Sequence, residues 1–204
     1  MGLARDGAAR FRAWHRTLRE RHLRPYVFIH INKTGGSSVE KALGIRLDHS
    51  TAAEKYRQLG ASAWSRKFVF SFVRNPWDKV VSHYHYRVKT NQTGLGDNPL
   101  PFEDWLQRVY LDRDPRYFDK PRMFMPQRQW LLGDDGEMLV DYVGRFESLN
   151  EDFGHVCREL GLQAELGHAK PSSRGGYQQY YSETGRAIIE RHFAEDIAAF
   201  GYTF

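Results

Sequence analysis

Short apolar runs alternate along the chain with stretches whose apolar residues recur every three or four positions. Tyr26–Ile31 (YVFIHI), Phe68–Val73 (FVFSFV) and Leu139–Phe146 (LVDYVGRF) are rich in β-branched and aromatic residues and read as three core strands. Helical spacing follows each of them. Val39–Leu43 comes after the first, Val80, Val81 and Tyr84 mark the inner face of a helix starting at Pro76 after the second, and 147–160 follows the third, with Gly161 as its stop. That helical phase leaves Lys79, Ser82 and His83 turned partly away from the core. Further helices are expected over AAEKYRQLG, capped by Asp48 or Ser50 and ended by Gly60, over Phe102–Tyr110, briefly over Gln127–Leu132, and over Thr184–Phe200. Residues 1–25 are arginine-rich, with Phe11, Trp14, Leu18 and His22 spaced as on an amphipathic helix, which Pro25 separates from the first strand. Thr90–Pro101, Asp112–Pro126 and Leu166–Gly176 are polar or Gly/Pro-rich loops.

Strands alternating with helices imply an α/β fold, a mainly parallel sheet with helices on both faces. Ligands then bind at the carboxyl ends of the strands. With 204 residues and 41% hydrophobic content the chain suits one domain, here residues 26–204 behind the basic helix of 1–25. The net charge of +5 fits anionic ligands. Cys157 is the single cysteine, so no internal disulfide forms, and its helical setting makes it a packed thiol. No apolar run reaches the roughly 18 residues of a membrane span, and no secretory signal is visible. The expectation is a cytoplasmic protein of bacterial type, or a chain from which an anchor was trimmed.

Two loops carry the candidate chemistry. After the first strand, Lys33, Thr34, Gly35, Gly36, Ser37 and Ser38 form a strand-loop-helix turn whose glycines allow close backbone approach, with Ser37 or Ser38 as helix cap and amides free for an anion. An ATPase P-loop would read GxxxxGK[ST], with lysine after the second glycine; here Lys33 precedes both. The order KTGGSS resembles the 5′-phosphosulfate loop of sulfotransferases that use 3′-phosphoadenosine 5′-phosphosulfate (PAPS). Phe68–Tyr86, with Arg74-Asn75-Pro76 and Ser82 two helical turns on, resembles their 3′-phosphate motif. QRQWLLGDDG, VDYVGRFESLNEDF and DIAAFGYTF are similar to segments of the broad carbohydrate sulfotransferase family, so the resemblance covers nearly everything after residue 25.

That resemblance implies a P-loop NTPase-like three-layer fold and PAPS as co-substrate, with adenosine 3′,5′-bisphosphate as product and no metal. It assigns nucleotide contacts to Lys33, Thr34, Gly35, Gly36, Ser37, Ser38, Arg74 and Ser82, and to Arg174 with Lys170 in a closing loop. The acceptor would be a sugar or glycoconjugate hydroxyl. Two departures stand out: Asn32 where relatives commonly carry proline, and no asparagine near Lys170.

A hydroxyl acceptor needs a base, and a neutral imidazole takes a proton near neutral pH. His49 is the one histidine between Lys33 and Arg74 and is the candidate; Glu54 and Glu40 are the fallbacks. His30, inside the first strand, is expected to be packed, while His83 and His85 are placed at the acceptor cleft. Lys33 would offset charge on the leaving phosphate. The competing structural role for Arg74 is an ion pair with Asp78. Two rival functions are a nucleotide kinase, for which Asp141 is the nearest magnesium ligand, and a non-catalytic polyanion binder using the basic N-terminal helix.

Overall fold

The computed structural model describes residues 17–18, 20–46, 49–167 and 175–204. Three parallel strands, β1 (Tyr26–Ile29), β2 (Phe68–Val73) and β3 (Tyr142–Arg145), form one sheet in the order β1-β2-β3. Tyr26 pairs with Phe68 and Phe70 with Tyr142, which brings the carboxyl ends of all three to one edge. The helices are α1 (Gly36–Ala42), α2 (Ala52–Leu59), α3 (Ala61–Trp64), α4 (Pro76–Lys89), α5 (Phe102–Tyr110), α6 (Leu149–Leu160), α7 (Glu183–His192) and α8 (Ala194–Phe200).

The two-residue period of the strands sorts the core into faces. Tyr26, Phe28, Phe70 and Phe72 pack against Val39 of α1 and Phe153, Val156 and Cys157 of α6. On the other face Val27, Ile29, Val69 and Val73 meet α2, α3, Trp130 and Leu131. A further apolar cluster joins α4, α5 and α7 through Trp77, Val80, Trp105, Leu106, Ile189 and Phe193. The α/β class and the three expected strands are therefore present, in the layered form that positions a ligand at the strand ends.

Several boundaries differ from the sequence reading. Thr51 caps α2, in a reciprocal capping box with Glu54, in place of Ser50; Asp48 lies outside the described residues. Gly35, with φ of 85°, is the N-cap of α1, so Ser37 and Ser38 sit inside that helix rather than capping it. Gln127–Leu132 holds one 3-10 turn, Arg128–Trp130. The long helix expected over 184–200 breaks at Phe193 into α7 and α8, and the carboxylate of Asp196 in α8 accepts the amides of Gln127 and Arg128. In the N-terminal segment Phe11 and Trp14 lie outside the described residues, but Glu20 is buried and accepts from Lys55 Nζ at 2.8 Å. No helix among the described residues is long and apolar enough to cross a membrane.

Candidate active site at the strand ends

The loop after β1 is shaped by its own residues. Lys33 takes a positive φ of 67°, unusual for a residue with a side chain, and the buried Thr34 hydroxyl donates to Ile31 O at 2.9 Å. A Cβ on Gly36 would fall 2.0 Å from the His30 ring, so only glycine lets the loop lie on that imidazole. His30 in turn donates from Nδ1 to Glu40 Oε1 at 2.8 Å. Burial and the nearby His49 lower the His30 pKa below the ordinary imidazole value, against the opposite pull of Glu40.

Remote residues hold the loop after β2. Gln127, fully buried, accepts from Arg74 N at 2.9 Å and donates from Nε2 to Arg74 O at 2.8 Å. Glu147 accepts from Asn75 N at 2.7 Å. Asn75 caps α4 by accepting from Trp77 N, while its Nδ2 donates to Thr203 O at 2.8 Å and Tyr177 OH at 3.2 Å. Gln127, Glu147 and Asp196 fall in the QRQW, FESL and DIAAF segments, which the sequence singled out without giving these residues a role.

Both loops open onto one cavity of about 520 Å³. Lys33, Gly35, Gly36, Ser37, Ser38, His49, Arg74 and Ser82 all line it, so eight of the sequence-selected positions converge. Thr34 does not line it, since its hydroxyl is turned back into the loop. Arg174 and Lys170 lie outside the described residues. Among the described residues no Asp or Glu lines the cavity, whereas Lys33, Arg74 and Lys120 do, giving it a positive character. Arg74 makes the ion pair weighed for it and still faces the cavity: it pairs with Asp78 through Nε at 2.8 Å, donates to Lys33 O at 3.1 Å, and stacks 3.9 Å over the Phe146 ring. Lys33 Nζ lies 4.2 Å over the ring of Tyr86.

The histidines sort differently from the sequence reading. His30 is packed and also lines the cavity. His85 packs against Tyr84 and Tyr180 and does not line it. Lys79 and His83, expected to turn partly outward, are buried at 2% and 5% exposure, and His83 reaches the cavity wall. Burial, aided by Lys79, Arg87, Lys33 and Lys120, holds the His83 pKa well below its ordinary value, and burial takes Lys79 down to about 8.

His49 Nδ1 lies 2.9 Å from the carbonyl oxygen of His30, which can only accept, so Nδ1 carries the proton. In the neutral ring Nε2 then holds the lone pair. Arg122 donates to the His49 backbone oxygen at 2.9 Å, and the His30 ring lies 4.5 Å from the His49 imidazole. Both fallback carboxylates are committed elsewhere, Glu54 to the Thr51 capping box and Arg122, Glu40 to His30. Among the described residues no three His, Cys, Asp or Glu side chains converge as a metal site would require.

Comparison with known proteins follows the same line. The family model for the Sulfotransferase family matches residues 22–203. An uncharacterized protein of Archaeoglobus fulgidus is 29% identical over 110 residues, 53% of this chain and 80% of that protein. The crystal structure of a sulfotransferase from Alicyclobacillus acidocaldarius aligns with a TM-score of 0.42 at 18% identity, over 72% of this chain and 57% of that one, so the chain spans little more than half that protein's length.

Proposed function

The chain belongs to the sulfotransferase family, and from that premise we propose that it moves a sulfuryl group from PAPS to a hydroxyl of a sugar or glycoconjugate. The convergence of Lys33, the Gly35–Ser38 turn, Arg74, Ser82 and His49 on one cavity that no described carboxylate lines carries this reading. Such a lining fits a ligand with anionic groups at two ends, because both loops present cations and donors and none of the lining side chains repels negative charge. When bound, PAPS supplies an activated sulfuryl group on a phosphate leaving group.

The residues divide the work. His49 Nε2 removes the proton of the acceptor hydroxyl as its oxygen bonds to sulfur, and His30 O accepts from Nδ1 and stabilises the resulting imidazolium. Lys33 offsets the charge left on the phosphate oxygen when its bond to sulfur breaks. Arg74 and Ser82 hold the far phosphate of the nucleotide. Arg74 keeps its Asp78 partner, whose carboxylate fixes the guanidinium plane.

The kinase reading fits less well. Asp141 sits at the amino end of β3, where its carboxylate accepts from Val69 N at 2.7 Å, at the opposite end of the sheet from the cavity. Titration calorimetry decides between the two. Adenosine 3′,5′-bisphosphate should bind, and Lys33→Ala should weaken it by about 10- to 100-fold, the loss of a charged hydrogen bond worth ~1.5–3 kcal/mol, with no shift in unfolding midpoint. Tighter binding of ATP with magnesium would overturn the reading. His49→Ala should keep nucleotide affinity and lose roughly 10²- to 10⁴-fold in turnover; wild-type turnover in that variant would remove His49 as base.

A further inference from the structure

Lys79, His83 and Arg87 recur every fourth residue along α4 and so lie in one stripe on that helix. All three are buried. The outer two are cations with acidic neighbours: Arg87 donates to Asp119 at 2.8 Å, and Lys79 lies in the field of Asp196. His83, between them, is set among the rings of Trp105 and Phe124 at 6.2 and 4.9 Å. No hydrogen bond to a described residue reaches either of its nitrogens, and the exposure it retains is toward the cavity that holds His49.

Because neither ring nitrogen is sealed off, water in the open cavity can bond it, and a molecule that displaces this water must supply the bond or leave the imidazole unpaired. The nearby cations and the burial keep this imidazole neutral. It therefore offers one donor and one acceptor and no charge, which matches a hydroxyl, a group that both donates and accepts.

We propose that His83 determines acceptor specificity: it hydrogen-bonds a second hydroxyl of an acceptor whose first hydroxyl faces His49, so the acceptor is polyhydroxylated rather than a lone phenol or alcohol. This rests on the sulfuryl-transfer reading of the cavity. A site built to bond a substrate hydroxyl strongly rejects the analogue lacking it, because its own buried group is then left unpaired.

The test uses PAPS with methyl hexopyranosides, their monodeoxy analogues, and 4-methylumbelliferone as a one-hydroxyl probe. The wild type should prefer a sugar over both its critical deoxy analogue and the phenol by about 100-fold or more in kcat/KM. His83→Phe, which keeps a ring between Trp105 and Phe124, should bring that ratio to within about threefold while adenosine 3′,5′-bisphosphate binds as before; His83→Gln should restore part of the discrimination. Unchanged discrimination in His83→Phe overturns the proposal, as does loss of nucleotide affinity in both folded variants, which would move His83 to the nucleotide. If the wild type binds the bisphosphate but transfers to no sugar, the polyol assignment fails and the transferase reading stands. If it neither binds the bisphosphate nor transfers from PAPS, the transferase reading fails and takes the proposal with it.

Discussion

Between Ile31 and Glu40 the first loop is held mainly by near neighbours, Thr34 on Ile31 and His30 on Glu40, with Gly36 making room for the imidazole; its longer ties are Arg74 to Lys33 O and Asn32 Nδ2 to Met123 O. Between Val73 and Trp77 the second loop is held from across the chain. Its partners Gln127, Glu147, Tyr177 and Thr203 are separated from it by 53 to 128 positions. Both loops face the same cavity. A locally built loop fails when its own residues change, while a remotely built one fails when scattered residues far from any ligand change.

Gln127→Leu should break the contrast most strongly. It keeps the volume but strips both backbone groups of Arg74 of their partners inside the core and removes one of the donors to Asp196. At ~1–3 kcal/mol for each of the two stranded groups, denaturant unfolding should show a loss of at least about 2 kcal/mol, with weakened bisphosphate binding although Gln127 does not line the cavity.

The support of the second loop also contains a buried charge. Lys79 binds its proton less tightly in the folded chain, near 8, than when unfolded, near 10.5. The unfolded state thus holds more protons between those values, and stability should rise with pH across that window by up to about 3 kcal/mol and be flat below it. Comparing urea unfolding of the wild type with Lys79→Met across pH 7–11 isolates the slope, which the variant should lack.

Gly36→Ala should cost about 1–3 kcal/mol by overpacking, since the new methyl displaces the His30 ring, and should weaken nucleotide binding through the local loop alone. Thr34→Val, the mildest change, should cost about 1 kcal/mol through the unpaired Ile31 carbonyl and leave the second loop intact, which hydrogen exchange at the amides of Arg74 and Asn75 would report.

This same division explains what the chain's order of residues made legible. The three strands, the paired glycines and the KTGGSS turn depend on neighbours in sequence, so periodicity and turn chemistry reach them. Arg74 and Ser82 were found through a motif and Asp78 as a partner of Arg74, but what fixes the Arg74 backbone was not, because Gln127, itself held by Asp196, meets it only after folding. Lys79 and His83 were assigned partly outward because the helical phase puts polar residues toward water; the fold overrides this by packing α5 and α7 over the stripe. The break at Phe193 was invisible since apolar spacing continues through it. His49 was named by its residue type and position, yet the ring nitrogen that can act as base follows only from the His30 carbonyl.

The bond from Asn75 to Thr203 spans 128 positions, and this has a consequence during synthesis. At about 5–20 residues added per second, roughly 6–26 s pass on the ribosome between the making of Asn75 and of the residue that secures it. The local bonds of the first loop can form on the emerging polypeptide, but the second loop must wait, so a nascent chain goes through a period in which one wall of the cavity is unsecured.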